Sequence, residues 1–151
     1  MASREETFRK FTAEQAAKYA AGRGMSYPEP IYNGVLDYHQ GKREAVLDVG
    51  TGPGKVARDF LNYFDKAIGC DASEGMIGQA GKDAEKNGLT DRATFFVAGA
   101  EDCVSAVHQA GRQDVDAITV ATAAHWFDMQ PFYASAAKAL RPGGTLAMVC
   151  G

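Results

Sequence analysis

The stretch AVLDVGTGPG at residues 45–54 is an apolar run that ends in an acid and then places glycines at alternate positions. An apolar, β-branched segment without a polar face is typical of a central strand in a parallel sheet, which is buried on both sides. Glycine permits positive φ and lets backbone amides approach a ligand closely. The stretch therefore predicts a buried strand at 45–49 that runs directly into a cofactor-binding loop.

The composition is that of one soluble domain. The chain has 151 residues, 46% of them hydrophobic, and a formal net charge of −3. This length suffices for a single core. No cluster of lysines and arginines favours nucleic acid as a partner. Residues 1–10 lack the apolar centre of a signal peptide, and no later window is long enough for a membrane span. We therefore expect a cytoplasmic protein with neither nucleic acid nor membrane as partner.

The cysteines give no sign of a metal site. Cys70, Cys103 and Cys150 lie at none of the short spacings that mark metal ligands or redox pairs. Their apolar neighbours favour reduced, structural thiols. We therefore predict no bound metal.

Two regions differ in their pattern. Residues 1–44 predict an N-terminal helical cap segment, with a helix at 12–21 and a second that contains Ile31 to Tyr38 and closes at Gly41. From residue 45 onward strands alternate with helices, which indicates an α/β fold with a parallel sheet. We predict strands at 45–49, 66–70, 93–98, 115–121 and 144–150, and helices near 54–63, 74–87, 101–111 and 131–140.

The last predicted strand, at 144–150, is apolar, and the sequence printed here supplies no segment to cover its outer edge. A long apolar edge strand invites pairing with another chain. We expect either a homodimer or partner-chain contact on this strand, or a domain that is short at its C terminus.

The residues around the glycines narrow the choice among classes of ligand. Val49 and Val56 stand where a phosphate-binding P-loop needs Gly and Ser or Thr. Lys55 stands where a dinucleotide fingerprint needs Gly or Ala. The remaining G-x-G-x-G loop, with Asp48 ahead of it, suits a cofactor without a pyrophosphate. Asp71, at the end of the second predicted strand, is positioned to bind the two hydroxyls of a ribose, and a solvated turn or a helix cap is its alternative role.

Several motifs together resemble class I S-adenosylmethionine-dependent methyltransferases. They are LDVGTGPG at 47–54, GCDAS at 69–73 followed by Met76-Ile77, and GAE at 99–101. The segments AHWFD at 124–128, LRPGG at 140–144 and YAAGR at 19–23 are similar to the small-molecule branch that includes trans-aconitate methyltransferases and related fungal enzymes. The resemblance covers residues 11–151. It implies a three-layer Rossmann-like core over 45–151, with five parallel strands in the order 3-2-1-4-5, N-terminal helices, and without the last two strands of the family.

The resemblance also implies the cofactor S-adenosylmethionine, with S-adenosylhomocysteine as product. Asp48 and the loop glycines would hold the methionine part, Asp71 the ribose, and Met76 and Glu101 the adenine, although Met76 equally suits core packing and Asp102 could replace Glu101. Tyr19 and Arg23 could close over the cofactor or lie on the surface. The full predicted set is Tyr19, Arg23, Asp48, Gly50, Thr51, Gly52, Asp71, Ala72, Met76, Ala100, Glu101 and Thr122.

His125 and Trp126 follow the fourth predicted strand, at the edge where parallel sheets bind their ligands. Trp126 could contact the sulfonium or wall a substrate pocket, and His125 could bind a substrate carboxylate or act as general base. Packing roles are the alternatives for both. A carboxylate acceptor needs no base, whereas a phenol or hydroxyl would make His125 the candidate catalytic residue. His39 and His108 are expected at the surface.

The leading hypothesis is a methyltransferase acting on a small molecule, and the resemblance implies a carboxylic acid or a secondary metabolite as the acceptor. A second is a cofactor-binding or structural subunit that is inactive without a partner chain. A third, weaker hypothesis is an NAD(P)-dependent oxidoreductase, which Lys55 disfavours.

Overall fold

The computed structural model describes residues 28–121 and 128–149. The helix predicted at 12–21 lies outside these residues. The elements are α1 (Glu29–Tyr38), β1 (Ala45–Val49), α2 (Lys55–Phe60), β2 (Lys66–Asp71), α3 (Glu74–Lys86), β3 (Ala93–Val97), a 3-10 helix (Ala100–Asp102), α4 (Cys103–Gln109), β4 (Val115–Ala121), α5 (Met129–Ala139) and β5 (Leu140–Val149). Each strand predicted from the sequence forms, as does each helix predicted within the described ranges.

The five described strands form one parallel sheet in the order β3-β2-β1-β4-β5, which confirms the predicted topology. β1 lies at the centre and is buried along its whole length. Its Val46 pairs with Ala67 of β2 on one side and Ala117 of β4 on the other. Because β1 is central, the loop that follows it emerges between the carboxyl ends of β2 and β4.

Helices cover both faces of the sheet. One apolar cluster joins side chains of α1, α2 and α3 to one face, and a second joins α4 and α5 to the other. Val46 points into the first cluster and its neighbours Ala45 and Leu47 into the second, as the alternation of a strand requires. The fold therefore has the three layers predicted from the sequence.

Among the element boundaries that differ from the prediction are the start of β5 and the end of α2. β5 begins at Leu140, four residues earlier than predicted, because Leu140 already pairs with Val115 and a register shift follows before Ala117. α2 ends at Phe60 instead of 63. In the turn that follows, Nη2 of Arg92 donates to the carbonyls of Leu61 and Phe64 at 2.7 and 3.0 Å, so these carbonyls have partners outside the helix.

A charged clamp closes the amino end of the sheet. Asp116 is 2% exposed and accepts hydrogen bonds from the amides of Glu44 and Ala45 at 2.8 and 3.0 Å. Its other oxygen accepts from Nε of Arg141 at 2.7 Å, and Arg141 also donates to the carbonyl of Gln40 at 3.3 Å. The clamp ties the start of β1 to β4 and β5.

The prediction that His39 lies at the surface is wrong. His39 is 6% exposed, and its Nδ1 and Nε2 lie 2.7 Å from Thr145 Oγ1 and 2.8 Å from the carbonyl of Lys42. Both ring nitrogens therefore have hydrogen-bond partners, which offset the cost of burying a polar ring. His108 is exposed, as predicted.

β5 pairs with β4 alone among the described residues. On this edge, Met148 is 36% exposed and Tyr133 of α5 is 47% exposed. The expected dimer or partner-chain contact on this strand stays a prediction, as does the division at residue 44. Across the described ranges, no helix combines the length and the apolar character that crossing a bilayer requires.

Candidate cofactor site

The loop after β1 is built on left-handed glycines. Gly50, Gly52 and Gly54 have φ values of 67°, 56° and 84°. Residues with a Cβ rarely adopt this region, so the alternate glycines of the sequence have a direct conformational reason. Side chains are thereby absent at every second position, and the loop presents backbone at the carboxyl end of β1.

Neighbouring elements fix the position of this loop. The Thr51 amide donates to the carbonyl of Cys70 in β2 at 2.9 Å, and the Gly54 amide donates to the carbonyl of Thr51 at 3.0 Å. Nη1 of Arg58 in α2 donates to the carbonyl of Pro53 at 3.0 Å. Strand and helix thus hold the loop from both sides, so it is preorganised for a ligand.

Asp48 is buried beside the loop, with 2% of its surface exposed. Its carboxylate oxygens accept hydrogen bonds from the hydroxyls of Thr51 and Thr119, each at 2.8 Å. Burial raises the pKa of Asp48 to about 6, and the two hydroxyl bonds oppose that shift only in part. Deprotonated, the carboxylate therefore carries a poorly compensated negative charge.

Asp71, at the end of β2, is 8% exposed and organises the loop directly. Its Oδ2 accepts from the Gly52 amide and its Oδ1 from the Ser73 amide, each at 2.9 Å. Burial raises its pKa, and these amides partly oppose the shift. The N-cap of α3 is Ser73, whose Oγ accepts from the Met76 amide at 3.2 Å, so the alternative role of Asp71 as a helix cap is wrong. Each oxygen keeps a further lone pair for a ribose hydroxyl.

The two carboxylates are close enough for the charge of Asp71 to raise the pKa of Asp48. The ion pairs found among the described residues involve neither of them. A buried negative charge without a cationic partner is costly. As far as residues 28–121 and 128–149 are concerned, this end of the sheet favours a ligand that brings positive charge.

The predicted adenine side is only partly open. Met76 has no exposed surface, so it is a core side chain here, and contact with an adenine ring would need a side-chain movement. Ala72 is half-buried, and Ala100 is buried at the start of the 3-10 helix. Glu101 and Asp102 are both exposed on that helix, so the choice between them stays open.

The two described cysteines are structural. Cys70 and Cys103 are both fully buried and free, in agreement with the prediction. Burial raises the pKa of both thiols, which keeps them protonated and unreactive. The described residues contain no group of side chains that could hold a metal ion.

A family model described as a methyltransferase domain matches residues 46–144, which run from β1 into β5. The chain belongs to this methyltransferase family. S-adenosylmethionine, the cofactor that the resemblance implied, appears in the name of a relative, and its product S-adenosylhomocysteine is bound in a solved structure of the same fold. The oxidoreductase alternative gains no support from the family model.

Individual relatives agree with this family. The chain is 31% identical over 122 residues to a probable S-adenosylmethionine-dependent methyltransferase of Saccharomyces cerevisiae. The match covers 81% of this chain and 40% of the relative. It is 31% identical over 135 residues to the methyltransferase pgmE of Aspergillus terreus, covering 85% and 39%. The chain therefore spans about 40% of the length of these curated relatives.

A solved structure shows the same fold. The S-adenosylmethionine-dependent methyltransferase of Thiobacillus denitrificans, in complex with S-adenosylhomocysteine, is similar to this chain with a TM-score of 0.64 and 22% identity. The match covers 85% of this chain and 52% of that one. At this identity, the likeness concerns the fold.

The described part of the methyltransferase site fits this cofactor. The glycine loop offers backbone amides without intervening side chains, and the carboxylates of Asp48 and Asp71 offer acceptors for an ammonium group and ribose hydroxyls. The predicted residues Tyr19, Arg23, Thr122, His125 and Trp126 lie outside the described residues.

Sequence reasoning missed Thr119 as part of this site. Its signal was a polar residue within the otherwise apolar second half of β4. Only the strand register shows that Thr119 lies opposite Asp48. The sequence pattern does not contain this register, which is why the pairing could not be predicted.

Proposed function

We propose that this domain binds S-adenosylmethionine at the carboxyl ends of β1 and β2 and transfers its methyl group to a small molecule. The observation that carries the proposal is the buried pair Asp48 and Asp71, which is part of no ion pair among the described residues, next to the left-handed glycine loop. The cofactor has a sulfonium and an ammonium group, so it supplies a positive charge, and no cation of the described residues pairs with these carboxylates.

The cofactor would supply an activated methyl group, which transfers by direct displacement. The protein then contributes alignment and desolvation more than covalent chemistry. The loop at 50–54 would hold the methionyl part through its backbone, Asp48 would orient the ammonium group, and Asp71 would accept hydrogen bonds from the ribose hydroxyls. These roles combine the observed geometry with the family resemblance.

The proposed acceptor is a carboxylic acid. The support for it is the resemblance to the small-molecule branch, carried by AHWFD at 124–128 and LRPGG at 140–144. A carboxylate is already ionised at neutral pH and needs no base, so His125 would bind or orient it. With a phenol or hydroxyl acceptor, His125 would instead act as general base.

Isothermal titration calorimetry with S-adenosylmethionine, S-adenosylhomocysteine and NAD tests the cofactor. We expect binding of both sulfur nucleosides and none of NAD. Binding of NAD alone would reject the proposed site. Methyl transfer from labelled cofactor to panels of carboxylic acids, phenols and amines then tests the acceptor. Binding without transfer to any panel would favour the subunit hypothesis over an enzyme that acts alone.

A further inference from the structure

The backbone conformation of Gly69 does not explain why this residue is a glycine. It lies inside β2, is buried, and does not belong to the glycines with positive φ. Glycine weakens a strand interior, because it loses more conformational entropy on folding and has no side chain to pack. The space around Gly69 must therefore explain it.

The side chain nearest to that space is Phe95. A Cβ added at Gly69 would lie 2.6 Å from Cδ1 and 2.7 Å from Cε1 of Phe95, the residue that pairs with Gly69 across β2 and β3. A Cβ added at Gly54 would lie 2.8 Å from Cε1 and Cζ of the same ring. The Phe95 ring thus occupies the space that side chains at two glycine positions would need, one in β2 and one at the end of the cofactor loop.

The space at Gly69 also borders Thr51, which holds a carboxylate of the site. The Cβ added at Gly69 would also lie 2.9 Å from Cγ2 of Thr51. Thr51 donates its hydroxyl to Asp48 and its amide to the carbonyl of Cys70. A side chain at Gly69 would have to displace either the Phe95 ring or the Thr51 side chain. A shift of Thr51 would change its bond to Asp48.

We propose that Phe95 is a positioning residue for cofactor binding, which holds the glycine loop in place through the vacant Cβ positions of Gly54 and Gly69. The inference rests on the proposed cofactor site. The Phe95 side chain has no group that could take part in the transfer. It acts by packing beneath the loop, so that the Thr51 and Gly52 amides keep their bonds to β2.

A rescue experiment on the full chain tests the pairing. Gly69→Ala should weaken S-adenosylhomocysteine binding by about tenfold, since overpacking shifts the loop. Phe95→Leu should lower Tm and weaken affinity by about two- to threefold, less than Gly69→Ala does, because the loop loses part of its packing support. The double variant should recover most of the lost affinity, because the smaller side chain makes room for the added methyl. Gly78→Ala is the matched control, since nothing lies within 4 Å of a Cβ at Gly78.

Amide hydrogen exchange provides a readout that does not need the cofactor. Exchange at Thr51 and Gly52 should accelerate in Gly69→Ala and return towards wild type in the double variant, while exchange at Ala45, at the other end of β1, stays unchanged. Wild-type exchange and affinity in Gly69→Ala, or a loss that Phe95→Leu does not rescue, overturns the positioning role. If the wild type binds no S-adenosylhomocysteine, the proposed function fails, and the exchange data alone decide whether Phe95 positions the loop.

Discussion

The two ends of the sheet each bury an aspartate, but they compensate its charge differently. At the amino end, Asp116 is 2% exposed and meets the guanidinium of Arg141 at 2.7 Å and two backbone amides. At the carboxyl end, Asp48 is also 2% exposed, yet its oxygens accept hydrogen bonds from the hydroxyls of Thr51 and Thr119. Asp116 is neutralised by an arginine of its own chain, whereas Asp48 has no cationic partner within residues 28–121 and 128–149.

This difference distinguishes a buried charge that stabilises the fold from a buried charge that can bind a ligand. A buried ion pair with satisfied hydrogen bonds fixes the strand positions. A buried carboxylate without a cation is tolerated where a ligand completes the site, and pKa values shifted by burial are typical of such sites. We therefore expect variants at the amino end to change stability alone, and variants at the carboxyl end to change cofactor affinity as well.

The largest effect should come from breaking the amino-end clamp. Arg141→Met leaves Asp116 buried without its cation, which should lower the free energy of unfolding by about 3 kcal/mol. S-adenosylhomocysteine affinity should stay at the wild-type value under folding conditions. Urea unfolding at pH 7 and calorimetry measure the two quantities.

Arg112→Met is the matched control for the clamp. Arg112 pairs with the exposed Glu44 at 3.8 Å, and such surface pairs contribute at most about 1 kcal/mol. Equal losses in the two variants would contradict the assignment of Asp116 and Arg141 as the clamp of this end.

The pH dependence of stability should reveal the raised pKa of Asp48. Its pKa in the folded state, about 6, lies above its ordinary value of 3.8, so its contribution to stability is complete below pH 3.8 and is lost as the pH rises through 6. Asp48→Asn removes this titration. Relative to wild type, the variant should gain about 2 to 3 kcal/mol of unfolding free energy between pH 4 and pH 7. Urea unfolding across this range measures the difference, and parallel pH profiles for the two proteins would contradict an uncompensated Asp48.

Asp71→Asn should affect both stability and binding. The amide nitrogen of asparagine cannot accept a hydrogen bond, so either the Gly52 or the Ser73 amide loses its acceptor. We expect a loss of about 1 to 2 kcal/mol in stability and a roughly tenfold to hundredfold weaker affinity for S-adenosylhomocysteine.

Asp65→Asn provides the control for Asp71, because Asp65 is exposed in the turn before β2. It should change neither quantity. Unchanged S-adenosylhomocysteine affinity in Asp71→Asn would remove Asp71 from the proposed cofactor site.

Much of the fold could be predicted because its signals are local. The strand at Ala45–Val49 is apolar throughout, and the loop glycines need left-handed φ, so both features follow from adjacent residues. The early start of β5 could not be predicted, since Leu140 joins the sheet through pairing with Val115 and a register shift. Tertiary pairing, and not local propensity, sets that boundary.

The site divides in the same way. Asp48 was predicted from its place ahead of the glycine loop and the family resemblance, and Asp71 from its position at a strand end. The roles of Thr119 and Phe95 depend on neighbours that are distant in sequence. His39 was expected at the surface because nothing near it in sequence indicates Thr145, its partner 106 residues away. Residues that act through cross-strand contacts become visible only in the folded chain.

The smallest expected effect gives the most closely matched comparison of the two ends. Thr119 and Thr145 are buried strand residues, and their hydroxyls bond to Asp48 and His39, respectively. Replacing either by the nearly isosteric valine should cost about 1 kcal/mol of stability, because a buried polar atom loses its partner. Thr119→Val should also weaken S-adenosylhomocysteine binding several-fold and raise the pKa of Asp48 further, since the lost hydroxyl bond lowers that pKa. Thr145→Val should leave binding unchanged. Unfolding curves and calorimetry on both variants would show whether the loss of affinity is confined to the carboxyl end, and equal losses would mean that the two ends do not differ in function.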